Sequence, residues 1–281
     1  MYKQWLVLAY LEIPAEFPMA STCLQLSVPT HATAHTRNVV LNVEIVLKTN
    51  FHPSEKHLAD IKNWLIEEWN KTNSGFYCNW NIIEDEFAKN NLAIITENDF
   101  TIGFVVYRIY EFQAVIDIAE TKPIERKKGI ARKLINDTLE YFGQKGVLVC
   151  ELFCSPENSE PFWKRIGFEN FPDLPHNSRI NMFKPLIETL KPTEKAESDT
   201  KISLWNCEPY QADRENAKWH WDLNFADDNE TLTKPIIFPV SSDWQVELTK
   251  NGQKILSEKV KRFPIDLADY GSFMIIRKLT A

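Results

Sequence analysis

The chain has 281 residues, 44% of them hydrophobic and 25% charged, with a formal net charge of −7. That length accommodates one large domain or two ordinary ones, and the balance of residue types is globular rather than disordered or collagenous. The acidity argues against nucleic acid as a partner, because phosphate-backbone binding needs a broad basic surface.

Residues 1–38 show neither a helical nor a strand period and read as an N-terminal extension. Their apolar run, 5–11, is too short for a membrane span. Glu12, Pro14 and Glu16 interrupt it before any cleavage site, so the chain is expected in the cytoplasm with no membrane partner. Five cysteines, Cys23, Cys78, Cys150, Cys154 and Cys207, lack framework spacing and read as free thiols in a reducing compartment. His31 and His35 stand four apart like metal ligands on a helix. No carboxylate or cysteine completes a set and the segment lacks helical character, so no metal is expected.

The Val-, Ile- and Leu-rich stretch 38–48 reads as strand. Over 53–71, Leu58, Ile61, Leu65 and Trp69 recur every three or four residues, which predicts a helix with Pro53 in its first turn. A shorter helix is expected over 82–89. Residues 92–96 and 101–110 read as a hairpin with Asn98 and Asp99 at its tip, and 114–120 as a third strand. A helix follows with Ile130, Ala131, Leu134, Ile135, Leu139 and Phe142 on one stripe, closed by Gly143 and Gly146. Strand 147–154, short helix 159–165 and strand 181–186 complete a mixed α/β layer with one βαβ crossover, from 114 to 154.

Residues 189–200 lack large apolar groups after Leu190 and read as a linker. A second domain, 201–281, holds Trp205, Trp219, Trp221 and Trp244 and short strand-like runs without a helical stripe. Runs 244–249 and 254–260 flank Asn251-Gly252, a hairpin signal because both residues tolerate positive φ, and 273–279 supplies a closing strand. A small antiparallel sandwich is expected. The alternate aromatics Trp219 and Trp221 around His220 read as sandwich filling rather than a ligand platform.

Arg126, Lys127, Lys128, Arg132 and Lys133 surround Gly129 at the start of the striped helix. A helix start offers unpaired backbone N–H groups and the positive end of the dipole, and glycine admits a ligand close to the backbone. Basic residues in a first turn oppose that dipole unless an anion is bound. Two readings follow: a phosphate-ester site, or a solvated basic turn. No Gly-Lys-Ser/Thr and no Gly-x-Gly-x-x-Gly is present, so neither standard nucleotide loop applies.

Arg126-Lys127-Lys128-Gly129-Ile130-Ala131 resembles the Arg/Gln-x-x-Gly-x-Gly/Ala signature of the GNAT superfamily of N-acetyltransferases. Phe162-Trp163-Lys164-Arg165-Ile166-Gly167-Phe168 is similar to that family's Phe-Tyr-x-x-x-Gly-Phe segment, and Met182 to Leu186 to its closing strand. The resemblance spans 39–188. It implies a mostly antiparallel sheet with splayed central strands and flanking helices, binding acetyl-CoA between the strands that start at Ala114 and Val147. The backbone of Ala119, Glu120 and Thr121 would bond the pantetheine and acetyl group, and Arg126, Lys127, Lys128, Gly129, Ile130, Ala131 and Arg132 would cradle the pyrophosphate.

The implied reaction moves an acetyl group to an amine of a small molecule or peptide, and the acidity elsewhere would attract a cationic acceptor. A lysine-like amine has a pKa near 10.4, so a base is valuable. By resemblance Glu151 is the first candidate and Glu120 the second, each also readable as an ordinary strand glutamate. Trp163 departs from the tyrosine that many members use as general acid, and Pro156 from an asparagine that contacts the cofactor. Ser155 or Cys154 would then donate the proton, unless both are structural. Trp64, Trp69, Phe76, Tyr77 and Trp80 read as core before acceptor pocket. The rival reading is a non-catalytic acyl-CoA sensor or interaction module. The sequence leaves room for a homodimer.

Overall fold

A computed structural model of the chain describes residues 47–172, 180–195, 197–263, 267–268 and 273–279. The expected extension, with Cys23, His31 and His35, and most of the strand expected over 38–48 lie outside them. The end of that strand is β1 (Leu47–Asn50), and helix α1 (Glu55–Thr72) follows. Helix α1 begins two residues later than expected, because Ser54 is its N-cap and His57 Nδ1 accepts the Ser54 N–H at 3.0 Å, which leaves Pro53 outside the first turn. Helix α2 (Trp80–Ala88) leads into β2 (Leu92–Glu97), β3 (Phe100–Tyr110) and β4 (Gln113–Thr121). Helix α3 (Ile130–Gln144), β5 (Val149–Cys154), α4 (Glu160–Ile166), β6 (Glu169–Asn170) and β7 (Ile180–Pro185) complete the first layer.

These strands form a seven-stranded sheet in the order β1-β2-β3-β4-β5-β7-β6. Every pairing in it is antiparallel except β4 with β5. The parallel pair is the product of the βαβ crossover through α3. One face packs under α3 and α4, where Ile130, Leu134, Phe142, Phe162 and Trp163 meet Ala114, Ile116 and Leu152. The other face carries α1 and α2, with Ile61, Leu65 and Ile83 against Ile94, Phe104 and Ile118. Trp64 and Phe76 are buried in that second cluster, with Tyr77 and Trp80 packed against it, so four of the five early aromatics serve the core. No helix among the described residues is long and apolar enough to cross a membrane.

Beyond residue 200 lie β8 (Lys201–Leu204), α5 (Pro209–Ala212), β9 (Trp219–Asp222), β10 (Thr231–Pro239), β11 (Gln245–Lys250), β12 (Gln253–Lys259), β13 (Leu267–Ala268) and β14 (Phe273–Lys278). They make two antiparallel sheets, β12-β11-β8-β9 and β10-β14-β13. Ile236, Phe238, Met274 and Ile276 face the larger sheet across a shared core containing Trp221 and Trp244. Strand alternation turns their neighbours Ile237, Phe273 and Ile275 the other way, onto Val149 and Phe183 of the first sheet. Phe273 sits 5.5 Å from Phe171 and 5.8 Å from Phe183. The small sheet is thus covered on both faces. Residues expected as linker dock onto this region: Leu190 N–H donates to Pro235 O, Thr193 bridges His220, and Ser198 N–H donates to Asp222 at 2.8 Å.

Candidate functional site

Strands β4 and β5 pair only as far as Ile116 and Leu152. Beyond that, β4 runs on to Thr121 and β5 to Cys154 without meeting. A bulge accompanies the parting: the β3–β4 register shifts between Val106 and Tyr107, leaving Asp117 as the extra residue, and bulges bend the strand that carries them. Arg108 holds Asp117 there with two bonds, one of 2.7 Å. Burial pushes the Asp117 carboxyl up, against the opposing pull of Arg108.

The far end of β4 decides which backbone groups face the gap. Lys122 N–H donates to Ile102 O on β3 at 2.8 Å. Alternation then points the Glu120 N–H toward β3 and the Ala119 and Thr121 N–H groups toward the gap. Thr121 N–H is occupied by its neighbour's carboxylate, donating to Glu120 Oε1 at 3.0 Å. Of the three residues expected to bond the pantetheine, Ala119 therefore presents the N–H best placed for a ligand in the gap.

Beyond β4 the chain passes through a short turn, Pro123–Glu125, into α3. Lys127 (φ 67°) and Gly129 (φ 80°) both take the left-handed conformation, and such alternation makes a backbone concavity suited to anions. A Cβ added at Gly129 would meet nothing within 4 Å, so the space above the loop is open. Lys133 N–H is the first to close a helical turn, on Gly129 O at 3.0 Å. The N–H groups of Ile130, Ala131 and Arg132 have no carbonyl one turn earlier to bond.

The basic side chains part company here. Lys127 and Arg132 are exposed, Lys128 reaches Glu125 at 2.6 Å, and Lys133 reaches Asp137 at 2.9 Å. Arg126 turns inward. Its Nη2 lies 3.0 Å from Glu68 Oε1 on α1 and 2.9 Å from Glu120 Oε1, and its Nε donates to Thr121 O at 3.1 Å. Glu120 is 2% exposed and its carboxyl is pushed up to about 8. Burial is the main cause, opposed by Arg126 and reinforced by the Glu68 carboxylate. One guanidinium serving two carboxylates cannot offset that burial.

Glu151, the first expected base, lies on β5 one residue before the strands part, beside Val115 and Phe183. Strand alternation sets its half-buried side chain on the face opposite Cys150 and Leu152, the face on which Val149 and Phe183 meet Phe273 and Ile275 of the small sheet. Glu120, the second expected base, is enclosed and bonded to Arg126 and to the Thr121 N–H. Ser155 is half-buried just past β5. Cys154 is buried 3.2 Å from Ser159 Oγ, with its thiol pushed up by burial. Trp163 is fully buried, edge-on to Phe162 and Phe168, and is a core residue.

Residues 56–168 match the model of the acetyltransferase (GNAT) family. That segment is a GNAT acetyltransferase domain. It runs from α1 through the splayed strands and the α3 loop to Phe168. Among solved structures, similarity is found to the PaiA N-acetyltransferase of Thermoplasma acidophilum in complex with coenzyme A, at 20% identity and a TM-score of 0.41 over 50% of this chain and 99% of that one. Ard1 of Thermoplasma volcanium gives 18% and 0.42 over 50% and 99%. An aminoglycoside 6'-N-acetyltransferase complexed with coenzyme A gives 12% and 0.43 over 52% and 99%. No curated protein matches the chain.

Proposed function

We propose that the chain is an acetyl-CoA-dependent N-acetyltransferase whose acceptor is a primary amine of a small molecule or peptide. The observation that carries this reading is the gap between β4 and β5 beside an α3 start with open, anion-seeking amides, all inside a GNAT domain. The donor set fits the group: N–H groups at 130–132 with Lys127, Lys128 and Arg132 suit a diphosphate, and Ala119 suits an amide-bearing arm. Acetyl-CoA, when bound, supplies an activated acetyl group as a thioester.

The remaining work falls to the chain. The Ala119 N–H faces the gap, where a backbone donor meets negative charge developing on a carbonyl oxygen, usually a large contribution in acyl transfer. Glu151 takes the proton from the acceptor ammonium, directly or through one water. Glu120 is left out of the proton path. Ser155, at the mouth of the gap, is the side chain assigned to proton donation. The net charge of −7 favours approach of a cationic amine. The same reading divides the chain into an acetyltransferase domain over 39–188 and a β-rich accessory domain over 201–281, joined by 189–200.

The test is acetyl transfer by the full chain over a panel of amines, followed by thiol release and by product mass. Turnover with at least one amine, lowered in Glu151→Gln, is the expected result. Tight coenzyme A binding with no acetylation of any amine would replace the enzyme by a sensor.

A further inference from the structure

Glu68 and Arg126 are 58 residues apart in sequence, yet their side chains meet at 3.0 Å. Two carboxyl groups share this guanidinium, one of them fully enclosed. Glu68 Oε2 and Glu120 Oε2 are both buried and lack hydrogen-bond partners. Such a cluster is a poor device for stability, since apolar residues of the same volume do as well or better. What it does supply is geometry. It joins α1 through Glu68, the end of β4 through Glu120 and Thr121 O, and the loop entering α3 through Arg126.

Glu68 is held from its other side as well. Gly75 (φ +100°) lies against it so closely that an added Cβ would come within 3.3 Å of Glu68 Oε2. The backbone bonds recorded within the loop itself are short-range, Glu125 N–H to Lys122 O and Arg126 N–H to Pro123 O at 3.4 Å. They shape the turn without fixing where it stands relative to α1.

We propose that Glu68 is a positioning residue of the acyl-CoA site, acting through Arg126 to set the loop whose amides receive the diphosphate. This rests on the acyl-CoA reading above. Arg126 then serves the anion through its backbone position, and its side chain is a strut rather than a phosphate ligand. The two roles respond oppositely to loss of Glu68. A strut without its anchor lets the loop shift, and affinity falls. A ligand released from a competing carboxylate binds the anion as well as before, or better.

The experiment is calorimetric titration of the full chain with coenzyme A, on wild type, Glu68→Ala, Glu68→Gln, Arg126→Ala, the Glu68→Ala/Arg126→Ala double variant, and Glu67→Gln. Glu67 is an exposed neighbour on α1, paired only loosely with Lys71 at 3.7 Å. Misplacing a binding loop by a fraction of an ångström costs about tenfold, so Glu68→Ala should raise Kd by about that factor while Glu67→Gln leaves it unchanged. The double variant should bind no more weakly than Arg126→Ala alone. Glu68→Gln keeps an acceptor for Arg126 but not the charge and should raise Kd about threefold. It decides the question on the same criterion if the alanine variant does not fold. A role in stability alone would lower Tm and leave Kd untouched. Wild-type affinity in a folded Glu68→Ala variant, or tighter binding, overturns the proposal while the acyl-CoA reading stands. Absence of binding by wild type overturns that reading and the proposal with it.

Discussion

Replacing Glu120 by glutamine isolates one buried proton. The carboxyl is fully enclosed, and its pKa rises from 4.5 to about 8, with burial the leading cause. At pH 7 the folded chain therefore holds the neutral acid, whose shape and acceptor oxygen glutamine copies. In the unfolded chain the same group ionises near 4.5. Between those values the folded state binds one more proton than the unfolded state, so stability falls as pH rises, by about 1.4 kcal/mol per pH unit. Below the unfolded value the contribution is fully present, and above about 8 it is gone. Wild type should thus lose on the order of 4 kcal/mol relative to Glu120→Gln between pH 5 and pH 8. Urea denaturation of both proteins at pH 5, 6, 7 and 8 measures this, because titrating groups outside the Glu68–Glu120–Arg126 cluster cancel in the difference. A difference that stays constant within about 1 kcal/mol over that range would show that Glu120 is ionised in the fold and would refute the reasoning.

Other perturbations address other parts of the structure. Glu151→Gln should lower kcat for amine acetylation by about 10² or more while the Kd for coenzyme A stays within about twofold, since a general base contributes about that much; equal losses in both would point to a structural role. Gly103→Ala should destabilise by about 1–3 kcal/mol, because the new Cβ would lie 3.1 Å from Glu120 O and from Ile95 Cγ2; an unchanged Tm would contradict the close packing of β3 on β4. Phe273→Ala removes the ring between Phe171 and Phe183 and should cost about 3–5 kcal/mol. Calorimetry should then resolve two unfolding transitions against a single one expected for wild type, and a single unshifted transition would mean that the small sheet adds nothing to the first layer.

Much of the fold was legible because its signals are local. The stripe from Ile130 to Phe142 gave α3, and Asn98-Asp99 and Asn251-Gly252 marked two hairpins, each with both residues at positive φ. The placement of Gly129 at the α3 start was readable for the same reason. The two-residue strand β6 was not, being too short to show a period. The covering of β5 and β7 by Phe273 and Ile275 was equally hidden, because alternation in β14 is apolar on both faces and does not say what lies beyond each. In the site, the charge of Arg126 suggested an outward, anion-facing role. Its inward turn depends on Glu68, a partner on another helix that no spacing in the sequence connects to it. Glu120 was likewise visible as a strand-end carboxylate, but its enclosure is a property of the packed α1, β3 and α3 around it.

The central claim concerns a place, the amides entering α3 and the flank of β4 that β5 leaves unpaired, so the most direct measurement is backbone hydrogen exchange of the full chain with and without coenzyme A. The account predicts slowed exchange concentrated at 117–121 and 126–132. Unchanged exchange in both segments at saturating coenzyme A, or protection confined to the β sheets beyond residue 200, would contradict it.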